Sequence, residues 1–475
     1  MRHLTLTFAI LLCILSSCKE NDWQSETKKL MAQGEFNAAE TMFNSLPEDV
    51  RNESYTTIDS FLTIMSRIRL DFKVTPEDGK AGIRERLPEA TDEEFETWKD
   101  KKYIETLTID GVECWFRKSV SNFWLLNSEL PDSVRKLNNS PSTVIAQRPG
   151  KASELIAMER DANNVADWRR NTMKFTIDIN ANAVAEGEII RAWLPIALEN
   201  QRQNDVIFIS SSDPATISKN SPHHTVYMEK AAVKDSVTHF EIVFAYSVAG
   251  QYWPQNELEA RIQPYNTESD EYKTYTSAVD PHIVVDDKMR ELAQSIIGDE
   301  TEPLKQASLI YDWIDANFPW AGAREYSTIA CMPQYVLDIK HGDCGQVSLL
   351  YISMLRSIGI PARWESGWVV RADGSTGYHD WSETYFEGIG WIPCDMSYGL
   401  LNNEDSAVRN FYKSSLDNYR MTSNSDIASP LEPAKKFIRS ETVDFQSGEV
   451  ETAQGNLYYT DWKCKLELIH TEEIK

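Results

Sequence analysis

The chain has 475 residues, with 48 Lys and Arg against 73 Asp and Glu, a formal net charge of −25. An acid excess of that size excludes nucleic acid as a partner, because phosphate is repelled. With 41% hydrophobic and 11% aromatic residues there is apolar surface for packed cores, so wholesale disorder is excluded too, and the length calls for several domains.

The start, "MRHLTLTFAILLCILSSCKEND", has Arg2, an apolar run from Leu4 to Leu15 and then Ser16, Ser17 and Cys18. The run is shorter than the roughly 20 residues that span a bilayer and reads as a secretory signal. Leu15-Ser16-Ser17-Cys18 resembles the lipobox of bacterial lipoproteins. That resemblance implies removal of residues 1–17, lipidation of Cys18 and a body tethered to a membrane of the bacterial cell envelope. An acidic body is repelled by phosphate-rich headgroups, which suits attachment through the lipid alone.

Residues 18–165 read as an N-terminal helical and α+β region. "KKLMAQGEFNAAETMFNSLP" carries Leu30, Phe36, Ala39 and Phe43 at helical spacing, broken by a turn at Gly34. Thr91 begins a capped helix, and "IETLTIDGVECWF" gives two short strands around Asp110-Gly111. "NNSPSTVIAQRPG", 138–150, reads as a linker. Residues 166–280 change period: five β-branched or alternating runs separated by Asn, Ser, Pro and Gly argue an antiparallel sandwich. Adjacent strand residues face opposite sides, so His223-His224 reads as a solvated pair and not as a metal site.

Helices return at "VDDKMRELAQSIIG" and "TEPLKQASLIYDWIDANF", the second with Thr301 as its expected cap and Pro303 in its first turn. After an irregular segment at 319–343, Val347, Leu350, Tyr351, Met354, Leu355 and Ile358 mark a helix from 344 to 358. Asp343 caps it, and Gly359 and Pro361 end it. Cys344 therefore falls in the first turn, where free backbone N–H groups and the helix dipole favour thiolate and could hold an oxyanion. Gly342 and Gly345 leave room for a substrate.

A thiolate attacking an amide needs a proton donor for the leaving amine. His379 lies on a strand, sharing one face with Trp381, Glu383 and Tyr385. After a turn at 387–390, "WIPCD" brings Asp395 back towards the level of His379, able to orient the imidazole, while Cys394 faces the other way. Cys114, Cys331, Cys344, Cys394 and Cys464 are odd in number and form no CxxC pair. At least one thiol stays free, and two disulfides among the other four are allowed without being assignable.

"GDCGQVSLLYISMLRSIGIPAR", "HDWSETYF" and "GWIPCD" resemble the transglutaminase core in its bacterial, papain-like form, over roughly 281–404. The resemblance implies a multidomain α+β chain: N-terminal helices, an antiparallel β-sandwich, and a core helix packed on an antiparallel sheet. Residues 405–475 form a C-terminal extension with strands packing back. It implies Cys344 as nucleophile, His379 as general acid and base, and Asp395 as its orienter, with Trp320 and Gln334 as oxyanion candidates. It implies no cofactor and no metal, since no acidic loop has calcium-ligand spacing. The expected substrate is a peptide or protein amide, opened through a Cys thioester, with hydrolysis ahead of amine transfer. The alternative is a catalytically silent surface scaffold binding peptide or glycan. Nothing in the sequence fixes the oligomeric state.

Overall fold

The computed structural model describes residues 22–135, 143–219 and 221–474, so the signal segment and Cys18 lie outside the described residues. The chain divides into two compact units, 1–120 and 121–475.

The first unit is helical with one hairpin: α1 (Asp22–Ala32), α2 (Phe36–Ser45), α3 (Glu48–Glu53), α4 (Tyr55–Asp71), α5 (Pro76–Arg84), α6 (Asp92–Asp100), β1 (Thr106–Ile109) and β2 (Val112–Trp115). Phe36, Ala39 and Phe43 of α2 pack with Met65 and Ile68 of α4, as the helical spacing requires. Thr91 and Glu94 form a reciprocal capping box at the start of α6.

In the second unit, α7 (Thr143–Ala157) corrects the linker reading of 143–150. Pro and Ser near its start favour irregular chain, but Ala152 and Leu155 are buried beside Tyr252 and Trp381, and tertiary packing outweighs local propensity. Next come β3 (Val165–Ile179), β4 (Ile189–Pro195), β5 (Gln203–Ser211), β6 (Ala215–Ile217), β7 (Thr225–Ala231) and β8 (Thr238–Gln251). They form two antiparallel sheets completed by strands from the chain's end: β13 (Glu449–Glu451), β14 (Asn456–Leu457) and β15 (Trp462–Glu473). The strand orders are β15-β3-β8-β5 and β14-β13-β4-β7-β6. Phe175, Ile177, Ile190, Val226, Phe240, Ile242, Phe244 and Val450 fill the space between them.

Between the sandwich strands and the C-terminal strands lie α8 (Asp287–Ile297), α9 (Pro303–Asn317), α10 (Met332–Ile339) and α11 (Cys344–Ser357). They are followed by a sheet of β9 (Ala362–Val370), β10 (Thr376–Phe386), β11 (Gly390–Cys394) and β12 (Arg420–Asn424), ordered β11-β10-β9-β12 and antiparallel throughout. The N-cap of α9 is Glu302, with no side-chain bond, so Thr301 does not cap it. Every residue of α11 from Gly345 to Ser357 is buried. The apolar stripe seen in the sequence is one side of a helix enclosed all round by α8, α9, α10 and the sheet.

His223 is buried as well, with Nδ1 3.0 Å from Asn424 Oδ1 and Nε2 accepting from Ser429 N at 2.9 Å; His224 Nδ1 lies 2.6 Å from the Ala197 carbonyl. The solvated-pair reading fails because chain more than two hundred residues away folds over the strand. All five described cysteines are free thiols.

Candidate active site

Asp343 caps α11 in a capping box: its Oδ1 accepts from Gln346 N and its own N–H donates to Gln346 Oε1, both at 3.1 Å. This fixes Cys344 in the first turn, as the sequence predicts. Gly345 is small for a different reason than substrate access. A Cβ there would lie 2.2 Å from Tyr326 Oη and 2.8 Å from both Asp380 Oδ2 and the Trp364 ring, so glycine lets the helix start close against these groups.

The strand β10 alternates. Ser382 pairs with Cys394 and belongs with Asp380 to the face towards α11, while His379 and Trp381 lie on the other face, their rings 5.9 Å apart. The β10–β11 register ends at Ser382–Cys394, so Asp395 follows just past the last pair and stands diagonally from His379. His379 Nε2 and Asp395 Oδ2 are 2.8 Å apart, and both residues are buried. Arg420 of β12 donates from Nη2 to the same Oδ2 at 2.7 Å and from Nη1 to Asp417 at 2.9 Å. Ser397 Oγ and Tyr398 N donate to Asp395 Oδ1, each at 3.2 Å.

Burial alone would raise the Asp395 carboxyl, but His379 and Arg420 outweigh it and hold it well below the usual carboxylate range. Burial pushes His379 below its ordinary value, against the pull of Asp395, and the cations Arg420 and Arg148 push it further down. The imidazole is therefore neutral and its carboxylate ionised, the resting pair a general base requires.

The thiol is placed differently. Cys344 Sγ donates to Asp380 Oδ2 at 3.3 Å, and no hydrogen bond joins it to His379 among the described residues. It also receives the Asp380 backbone N–H. The β11 ladder covers only 382–386 of β10, so 378–380 run past it, and it is there, at Asp380, that Sγ contacts the strand. Asp380 Oδ1 accepts from Gln446 Nε2 at 2.6 Å, and Tyr326 Oη donates to Asp343 Oδ1 at 2.7 Å and lies 3.5 Å from Asp380 Oδ2.

Burial, then the neighbouring carboxylates Asp380 and Asp343, push the Cys344 thiol well above its ordinary value. The sequence expectation of a thiolate is thereby reversed: the helix terminus is outweighed by desolvation and by two acids of the quoted motifs, Asp343 next to Cys344 and Asp380 brought to it by the fold. Burial together with Asp444, Asp343 and Glu441 likewise pushes Asp380 well up, towards its neutral form. Cys394 is buried on the helix side of the sheet and pushed up to about 12, chiefly by desolvation.

Of the oxyanion candidates, Trp320 is bridged through its backbone to Gly342 and lines a cavity of about 90 Å³ with Gly342, Val347, Met396 and Ser397. Gln334 is exposed and bonds Asp338 on its own helix at 2.8 Å, so it is not brought to the thiol. Sequence reasoning missed Asp380, although it sits inside the quoted "HDW" motif, and Arg420, whose one visible sign is a charge within an otherwise neutral strand.

Residues 290–396 match the transglutaminase-like superfamily. An uncharacterized protein of Haemophilus influenzae is 28% identical over 174 residues, 31% of this chain and 43% of the relative. The uncharacterized protein YebA of Bacillus subtilis is 26% identical over 134 residues, 24% of this chain and 18% of the relative. The chain thus spans less than half the length of either. Among solved structures, a candidate cysteine protease of Cytophaga hutchinsonii aligns with a TM-score of 0.40 at 16% identity, covering 64% of this chain and 99% of that one. The periplasmic domain of TgpA from Pseudomonas aeruginosa aligns with a TM-score of 0.27 at 14% identity, covering 53% of this chain and 92% of that domain.

Proposed function

We propose that this chain, whose residues 290–396 match the transglutaminase-like superfamily, is a thiol enzyme that opens a peptide or side-chain amide. Cys344 is the nucleophile, His379 the general base and then acid, and Asp395 the orienter of the imidazole. What carries the reading is the buried His379 Nε2–Asp395 Oδ2 pair at 2.8 Å, with Cys344 Sγ bonded to Asp380, the residue next to His379. With Nε2 engaged by Asp395, Nδ1 is the nitrogen left to take the thiol proton.

Sγ turns from the Asp380 carboxyl towards His379, loses its proton to Nδ1 and attacks the amide carbon. The tetrahedral oxyanion lies at the first turn of α11, where backbone N–H groups face it, with Trp320 beside the cleft. The His379 proton then passes to the leaving amine, and a thioester remains. Water resolves it, a reading that the 53% exposure of Trp320 beside Gly342 supports. The full reading adds a signal peptide at 1–17, a lipid on Cys18 and a place on the bacterial cell envelope, with a peptide or protein as substrate.

The second reading is a catalytically silent scaffold that binds peptide or glycan. One observation favours it: the thiol is bonded to Asp380 and held neutral. Limiting iodoacetamide, followed by peptide mapping, decides between them. The enzyme reading expects Cys344 to be labelled ahead of Cys114, Cys331, Cys394 and Cys464, with labelling slowed in His379→Asn. It also expects ammonia release from glutamine peptides without any added amine. Labelling that bypasses Cys344 or ignores His379 overturns it.

A further inference from the structure

Beyond Tyr398 from the cleft lies a second cavity, of about 190 Å³, lined by Arg148, Lys151, Arg371, Asp373, Tyr398 and Asp417. Its charges are unevenly matched. Lys151 is paired with Asp167 at 2.5 Å, and Asp417 is paired with the buried Arg420. Asp373 accepts from Ser375 N and Oγ in its own turn. Arg148 and Arg371 have no salt-bridge partner among the described residues, and the Nε of each is buried without a hydrogen bond. The Arg148 guanidinium instead lies 3.3 Å from the Tyr398 ring centroid, and Arg420 lies 4.2 Å from the same centroid. Asp373 is near enough to Arg371 to feel its charge, and Arg371 Nη1 donates to Ser375 Oγ at 3.4 Å. Neither Arg148 nor Arg371 is in an ion pair among the described residues, so in a chain of net charge −25 the two half-buried arginines stand out as a cationic site.

The place of this cavity gives it meaning. The His379 ring is 4.9 Å from Tyr398. Met396 and Ser397 line the cleft beside Gly342, and Tyr398, the next residue, lines the cationic cavity. A substrate chain laid along 396–398 and holding an amide at the cleft reaches the second cavity within one or two extended residues, at about 3.5 Å each.

We infer that this cavity is a subsite for a carboxylate of the substrate, an acidic side chain or a free C-terminus one or two residues from the amide to be opened. The planar forks of Arg148 and Arg371 suit a carboxylate, which their terminal N–H groups would meet. The inference rests on the reading of the neighbouring cleft as an amide site and deepens it from any peptide to an acidic one.

The test measures binding apart from chemistry. Full-length Cys344→Ala protein is titrated, by fluorescence anisotropy, into a fluorescein-tagged Ala-Gln-Ala-Glu peptide and its amidated twin with Gln in place of Glu. The acidic peptide should bind at least about tenfold tighter at low salt, as a charge-assisted pair supplies. In Arg148→Gln and in Arg371→Gln the two peptides should bind within about twofold of each other. Arg371 opens an exposed turn, so its variant reports even if loss of the Arg148 stacking disturbs the fold.

Equal binding in the parent, or a preference surviving in both variants, overturns the subsite. Inorganic phosphate displacing the peptide at concentrations where acetate does not overturns its assignment to a carboxylate. A charge preference found in a chain whose Cys344 fails the labelling test leaves the subsite standing and removes only the thiol chemistry.

Discussion

Asp380 and Asp395 are buried carboxyls of one sheet, the first in β10 and the second just past β11, and their surroundings send them in opposite directions. Asp395 meets a guanidinium, an imidazole, a hydroxyl and a backbone N–H, and stays ionised. Asp380 meets a thiol, a tyrosine, an amide and three further acids, with no ion pair to it among the described residues, and moves towards its neutral form. Burial acts on both, so it cannot be what separates them; the partner charges decide. One side of β10 is thus arranged to keep a charge and the other to suppress one. A pair of titratable groups pushed apart in this way is what acid–base assignments are built from, and on the proposed reading it separates the base from the group that holds the nucleophile at rest.

The sharpest way to break this comparison is to remove the thiol bonded to Asp380. Cys344→Ala should lower amide turnover on the order of 10³–10⁴-fold while thermal melting shifts little, followed by ammonia release from a glutamine peptide. Retained turnover would show that the division between the two carboxyls serves packing only.

A smaller effect is expected from Arg420→Gln, which leaves the Asp395 charge buried with one cation fewer. Breaking such a pair costs about 3–5 kcal/mol at neutral pH, read by urea denaturation. The sign with pH follows from the direction of the shift. Asp395 is depressed in the folded chain, so its stabilisation is present above the unfolded value of about 3.9 and is lost as pH falls through the folded value. With Arg420 gone that folded value rises, the extra stability at neutral pH shrinks, and the acid unfolding midpoint moves to higher pH. An unchanged midpoint would mean that His379 alone sets the charge of Asp395.

The local parts of this site are legible in the sequence because each is decided within a few residues. The Asp343 cap, the 344–357 helix, the glycine stop and the β10–β11 hairpin follow from side-chain chemistry at short spacing, and the hairpin carries His379 and Asp395 to one face. What is not legible comes from distant chain. The acids that raise Asp380 include Asp444 and Glu441, its amide partner is Gln446, and Arg420 comes from a strand added on the far side of β9. The thiolate expectation fails for a related reason: a helix terminus is visible in a motif, whereas the burial of Cys344 and the closeness of Asp380 to it, 36 residues away in the chain, come only with the fold. The same segment buries His223, and the packing of Ala152 and Leu155 makes a helix of what local composition reads as a linker.

The mildest change tests the suppressed side directly. In Asp380→Asn the amide keeps hydrogen-bonding capacity beside Cys344 but carries no charge at any pH, so a thiolate forming there never faces the anion that Asp380 becomes, 3.3 Å away, once pH rises through its folded value. Asp380 has a raised value in the folded chain, so its proton stabilises the fold at low pH and that stability is lost as pH rises through the folded value. The variant does not titrate there. Its stability should be flatter with pH on the neutral and alkaline side, and iodoacetamide should modify Cys344 about tenfold faster at pH 7.5, equivalent to about 1.4 kcal/mol. A thiol that reacts no faster would assign the raised value to burial alone, and the two faces of β10 would then differ only in the cation that Arg420 brings to one of them.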